Sequence, residues 1–154
     1  VNILFADEQD EPIVTTELLQ LAEIVLDAEG LGPDTGVSLV LIGEDGIAEL
    51  NEQHLGRTGP TDVLSFPLED ATPGHPPARH AGGPPVELGD VFIAPTVVRR
   101  NAADHGVAFE DEMALMVVHG LLHLLGWDHE HEDEAVRMEA RERHLLARVG
   151  RTRP

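Results

Sequence analysis

Three histidines in the segment HGLLHLLGWDH, residues 119–129, have the type and spacing to hold a metal ion. His119 and His123 are four residues apart, so on a helix they project from one face, about one turn or ~6 Å along the axis. Gly126 follows where a helix ends readily in a left-handed cap. His129 lies just past that turn and can fold back toward the pair. Three imidazoles are the ligand set of a tetrahedral zinc whose fourth position stays open to water, which is the form of a catalytic site. A closed structural site prefers four ligands and usually includes thiolates, and the chain has no cysteine.

The spacing H-x3-H-x2-G-x2-H is also that of a large class of zinc peptidases. Those enzymes carry a Glu directly after the first His, as the general base for the attacking water. Here that position is Gly120. Metal chemistry is retained, whereas peptide-bond cleavage loses its base.

These ligands need a rigid platform. The stretch Met113–Leu125 is apolar almost all round and predicts a helix in the core, with Glu110, Asp111 and Glu112 complementing its positive end. Around it the pattern predicts strands at Asn2–Phe5, Gly36–Ile42, Thr61–Pro67 and Leu88–Ala94. Helices are expected from a cap at Thr15 or Thr16 to near Gly30, over Asp45–His54, from Pro95 to about His105, and over Glu132–Val149. Residues 69–86 hold five prolines and three glycines and read as a surface loop. His75 and His80 fall in that loop and are not expected to ligate. The reading is an α+β fold within a single domain, 1–154: a roughly four-stranded mixed sheet packed with about five helices, its metal site on the central buried helix.

Composition narrows the function further. The 42% hydrophobic content suits a folded core without disulfides. Neither a signal peptide nor an apolar run long enough for a bilayer is visible, so a cytoplasmic protein is expected. The net charge of −19 is unevenly spread. Residues 1–77 hold sixteen acids and one basic side chain, Arg57, while six of the ten arginines lie between Arg137 and Arg153. Such a surface repels nucleic acid, and a polyanionic substrate needs a local positive site.

The segment HGLLHLLGWDH closely resembles the signature HGxLHLxGYDH of the YbeY family of bacterial ribosomal-RNA maturation factors, with Trp127 in place of the usual tyrosine. Two further blocks match in order, LNEQHLGRTGPTDVLSFP (50–67) and LGDVFIAP (88–95), so the likeness spans most of the chain. The resemblance implies a zinc-dependent, single-strand-specific endoribonuclease acting in 3′-end maturation of small-subunit rRNA and in ribosome quality control. It implies one zinc per chain on His119, His123 and His129, and it places the family's functionally important arginine at Arg57. Partners implied are single-stranded rRNA and the small ribosomal subunit or its proteins, with no membrane and no DNA.

Arg57 is thus the candidate catalytic residue, a permanently charged guanidinium suited to the charge that grows on a phosphorus under attack. Asp128 is expected to orient a histidine or cap the last helix, and Asp62 and Ser65 are candidates for the cleft near Arg57. His131 is expected in solvent. The nucleophile, water or the RNA 2′-hydroxyl, stays open. Two other readings accompany this one: a metal-dependent hydrolase of another substrate, and a non-enzymatic ribosome-assembly module with a structural zinc. On so acidic a surface, naked RNA is expected to bind weakly, with specificity supplied by a ribosomal docking partner.

Overall fold

The computed structural model describes residues 1–154 as four strands and five helices. In chain order they are β1 (Asn2–Glu8), α1 (Thr15–Ala28), β2 (Gly36–Ile42), α2 (Glu44–Leu55), β3 (Val63–Pro67), β4 (Glu87–Ile93), α3 (Pro95–His105), α4 (Phe109–Leu124) and α5 (Glu132–Ala147). The sheet order is β1-β2-β4-β3. β1, β2 and β4 run parallel and β3 pairs antiparallel with β4, which gives the mixed sheet and α+β class expected from the sequence.

Alternation along the two site-bearing strands decides what each face meets. Val63 and Ser65 of β3 and Val91 of β4 turn toward α4. Leu64, Phe66 and Phe92 turn the other way and pack with Ile47 and Leu50 of α2 in a second, smaller apolar cluster. On the first face the helices α1, α4 and α5 pack together, and α4 touches β3 and β4 directly. Eleven of the sixteen residues of α4 are buried, so this helix is the spine of the main core. Anything it carries is held by strand and helix contacts on nearly every side.

Several element ends differ from the sequence reading. β1 runs on to Glu8 because the whole strand is laddered to β2. β3 begins only at Val63: the Asp62 carbonyl still accepts from the Ala94 amide (2.9 Å), but its side chain turns in to accept from the Val63 amide, and the paired register starts one residue later. The expected threonine cap of α1 is absent: Val14 stands at that position, Thr15 is already helical, and no side chain bonds the free amides. Residues 69–86 contain no helix or named strand, only a short bridge between Thr72 and His75. No helix is long and apolar enough to cross a membrane.

Candidate metal centre

The structure brings His119, His123 and His129 together, with one ring nitrogen from each lying within 4.8 Å of the others. His119 and His123 are half-buried on the last turns of α4, and His129 is exposed beyond it. Ring centroids are 4.4 Å apart for His119–His123, 5.3 Å for His119–His129 and 5.1 Å for His123–His129.

What returns His129 to the pair is the way α4 stops. Gly126 takes φ 91°, a left-handed conformation that side chains resist. Its amide donates to the His123 carbonyl (3.1 Å), and the Trp127 amide donates to the Leu122 carbonyl (3.0 Å). A Cβ at 126 would also lie 2.1 Å from the Ala71 carbonyl oxygen. The turn therefore needs glycine twice, for its dihedral and because the 69–86 loop rests directly on it. Asp128 then accepts a hydrogen bond from the His129 amide (2.8 Å), which fixes the backbone carrying the third ring.

The outer partners of the first two rings determine their tautomers. His123 Nδ1 lies 2.9 Å from the Trp127 carbonyl oxygen, which can only accept, so Nδ1 carries the proton. His119 Nδ1 lies 2.8 Å from Oε2 of Glu142 on α5. Glu142 is 1% exposed; burial opposes its charge, but hydrogen bonds from His119 and Arg153 hold its carboxyl below the usual range. It is an ionised acceptor, and His119 donates to it. Both Nε2 atoms are then lone pairs, and they face each other at 2.9 Å. Two lone pairs at that distance repel unless a cation sits against them. Two nitrogens sharing a tetrahedral zinc at 2.0–2.1 Å stand about 3.3 Å apart, so this pair fits a zinc ion with little adjustment, and the exposed His129, within 4.8 Å, needs to close in as the third donor. His123 is poised for this: burial, then the neighbouring His119 and His129, lower its pKa to about 4, which leaves it neutral at pH 7.

Gly120, in the place of the peptidase base, has no room for a side chain. A Cβ there would lie 2.6 Å from Val91 Cγ1 and 3.3 Å from both Ser65 Oγ and Val63 Cγ2. Ser65 Oγ donates to the Gly120 carbonyl (2.9 Å), pinning the helix to β3 between the two histidine positions. The position is a contact with the sheet, so a glutamate could not sit there as a base.

Arg57 lies on the turn between α2 and β3. Its amide donates to the Asn51 carbonyl (3.3 Å), and the Asn51 amide group donates to the Gly59 carbonyl (2.9 Å), closing the turn. The guanidinium is exposed and makes no hydrogen bond or ion pair, to the histidines or to any acid. Seven of the ten arginines do form ion pairs, so Arg57 is one of three left free, with Arg143 and Arg148. Asp62 accepts from the Val63 amide (2.8 Å) and the Thr61 hydroxyl (3.4 Å), acting on its own strand. His131 is exposed beside Glu134 (3.8 Å), and His75 and His80 are exposed in the loop, all outside the cluster.

Glu142 is the functional residue that sequence reasoning missed. Its signal was present: it falls on the buried stripe of α5 with Met138, Leu145 and Leu146, where a carboxylate requires a partner.

Comparison with known proteins places these features in company. A family model described as Endoribonuclease YbeY matches residues 4–150. Relatives bearing that name include one from Salinispora tropica, 37% identical with 99% of each chain covered. One from Thermobifida fusca is 39% identical over 96% of this chain and 93% of its own. One from Shouchella clausii is 42% identical over 89% of each. Among solved structures, the solution structure of a Thermotoga maritima protein superposes with a TM-score of 0.62 and 28% identity, covering 96% of this chain and 91% of the other.

Proposed function

The chain belongs to the YbeY endoribonuclease family, and from that membership we propose that it is a zinc-dependent endoribonuclease cutting single-stranded RNA, with His119, His123 and His129 as the metal ligands. The observation that carries the reading is the facing pair of Nε2 lone pairs, each fixed by a partner on the far side of its ring.

A zinc held by three imidazoles supplies a Lewis acid for a phosphoryl oxygen and lowers the pKa of water toward about 7. The residues of the chain do the rest. His119 and His123 come from a buried helix and hold their nitrogens in place, Glu142 and the Trp127 carbonyl keep both rings in the ligating tautomer, and His129 closes the set from the turn. Arg57, with no acid to neutralise it, is available for a phosphate and for the charge that develops during cleavage. Gly120 counts against the peptidase alternative, because the helix packs against β4 where a base would project.

Maturation of the small-subunit rRNA 3′ end, a role in ribosome quality control and action in the cytoplasm belong to the same proposal. Twenty-nine acids against ten arginines disfavour free polyanions, so a ribosomal docking partner supplies the specificity.

The test is zinc content measured alongside cleavage of a single-stranded RNA. Wild type should hold one zinc per chain and cut; His123→Ala should lose both; Arg57→Ala should keep zinc and lose most cutting. If all three bind zinc and none cuts, the ligand assignment and the activity both fall, and the assembly-module reading takes their place.

A further inference from the structure

The C-terminal segment reaches the metal centre through one buried carboxylate. Glu142 uses Oε2 to accept from His119 Nδ1 (2.8 Å), and its other oxygen, Oε1, accepts from Nε of Arg153 (3.1 Å). Arg153 is three-quarters buried, and its guanidinium also lies 3.8 Å from Glu139 one turn earlier on α5. The segment reaches that position because it turns back after α5. Gly150 adopts a left-handed φ of 74°, and the Arg151 amide donates to the Leu146 carbonyl (3.0 Å). The Arg151 side chain then ties the turn to Asp111 of α4 (2.8 Å) and Glu17 of α1 (3.2 Å).

We propose that Arg153 is a positioning residue for the metal centre, acting through Glu142: it occupies one carboxylate oxygen so that the other is fixed on His119, and thereby sets the affinity for zinc. This rests on the reading of the three histidines as ligands. A carboxylate has two equivalent oxygens and rotates about its last bond. Packed at 1% exposure with only His119 to bond, Glu142 would have one buried oxygen unsatisfied and no reason to hold a single orientation. A guanidinium nitrogen on Oε1 removes both defects. The ion pair is buried on the Glu142 side, where loss of one partner is felt most. Partners that orient a ligand histidine typically change metal affinity by about 10–100-fold when removed.

The experiment is a zinc titration of the full chain in competition with a chromophoric chelator, for wild type, Arg153→Ala, Glu142→Gln, the double variant, Glu139→Gln and His123→Ala, with thermal unfolding of each metal-free protein. Glu142→Gln should weaken zinc binding by about 10–100-fold. Arg153→Ala should weaken it in the same direction by roughly tenfold, and should have no further effect once Glu142 is Gln. Glu139→Gln, which removes only the peripheral partner, should leave affinity unchanged. Wild-type zinc affinity in Arg153→Ala, or an equal loss in both backgrounds, overturns the proposal. Should Glu142→Gln fail to fold, Arg153→Ala against Arg153→Lys decides: partial recovery with lysine supports the contact, and no difference from wild type in either rejects it. His123→Ala keeps the two readings apart. If it binds zinc like wild type, the ligand assignment has failed; if it loses zinc while Arg153→Ala does not, only the positioning role has.

Discussion

Replacing Gly120 with alanine tests whether α4 is seated on the sheet as closely as the site requires. The new Cβ would stand 2.6 Å from Val91 Cγ1, whereas carbons at rest sit about 3.5–4.0 Å apart, so one partner must move by about 1 Å. Val91 is fully buried in a strand paired on both sides, with Leu39 and Ser65, and its branched side chain has nowhere to turn. Overpacking costs about 1–3 kcal/mol, and against an immobile Val91 the upper part of that range, about 2–3 kcal/mol, applies, while alanine in place of glycine returns about 1 kcal/mol of helix propensity. The net expectation is a loss of about 1–2 kcal/mol, or a fall in Tm of roughly 3–6 °C for a chain of this length. Gly46→Ala is the control. It also sits in a helix, and its Cβ meets Cδ1 and Cγ1 of Ile42 at 2.8 Å, but Ile42 is only partly buried and its longer arm can swing aside, so the change should be neutral or mildly stabilising. Thermal unfolding followed by circular dichroism compares the two. A Gly120→Ala protein as stable as wild type would refute the packing argument, and with it the reason given for the missing base.

Two further predictions concern the same region. His123 has its pKa lowered to about 4 in the folded chain, against about 6.5 when unfolded, so the unfolded state takes up a proton that the folded state refuses. The metal-free protein should therefore hold its full stability above pH ~6.5 and lose about 2 kcal/mol as pH falls toward 4, after discounting for the exposed part of the ring. Urea unfolding in chelator at pH 7.5 and pH 5 measures this, and a flat or rising stability toward pH 5 contradicts it. Gly126→Ala should cost more than Gly120→Ala, about 3 kcal/mol or more, since it meets a backbone carbonyl at 2.1 Å in a left-handed residue; an unchanged Tm would show that the 69–86 loop yields freely.

Much of the site is written locally in the chain. Helical spacing placed His119 and His123 on one face, and the glycine three residues on marked the turn that returns His129. The apolar run around them predicted a buried helix, because only the core tolerates apolar residues on every side. Alternation and breakers located all four strands. What escaped were interactions between distant segments. Glu142 is 23 residues from His119, and Arg153 is eleven further on, so no local pattern joins them. The α1 cap failed for the converse reason. Threonine is a good cap by type, but the chain enters the helix one residue early, at Val14. The free state of Arg57 was equally invisible, since the count of acids in residues 1–77 does not say which of them the fold brings within reach of its guanidinium.

All three histidines of the cluster fall within eleven consecutive residues, and this compactness bears on the unfolded chain as well as the folded one. Bringing them together requires closing only short loops, which costs little entropy even without the sheet. On the proposed ligand assignment the denatured protein should itself chelate zinc, more weakly than the folded form because it lacks Glu142 and the buried helix. Linkage then limits what the metal can do for stability: binding to both states cancels in part, leaving only the difference in affinity. Added zinc should raise the unfolding temperature by less than the folded-state Kd would suggest. At high zinc the gain should level off, once the unfolded chain is also saturated.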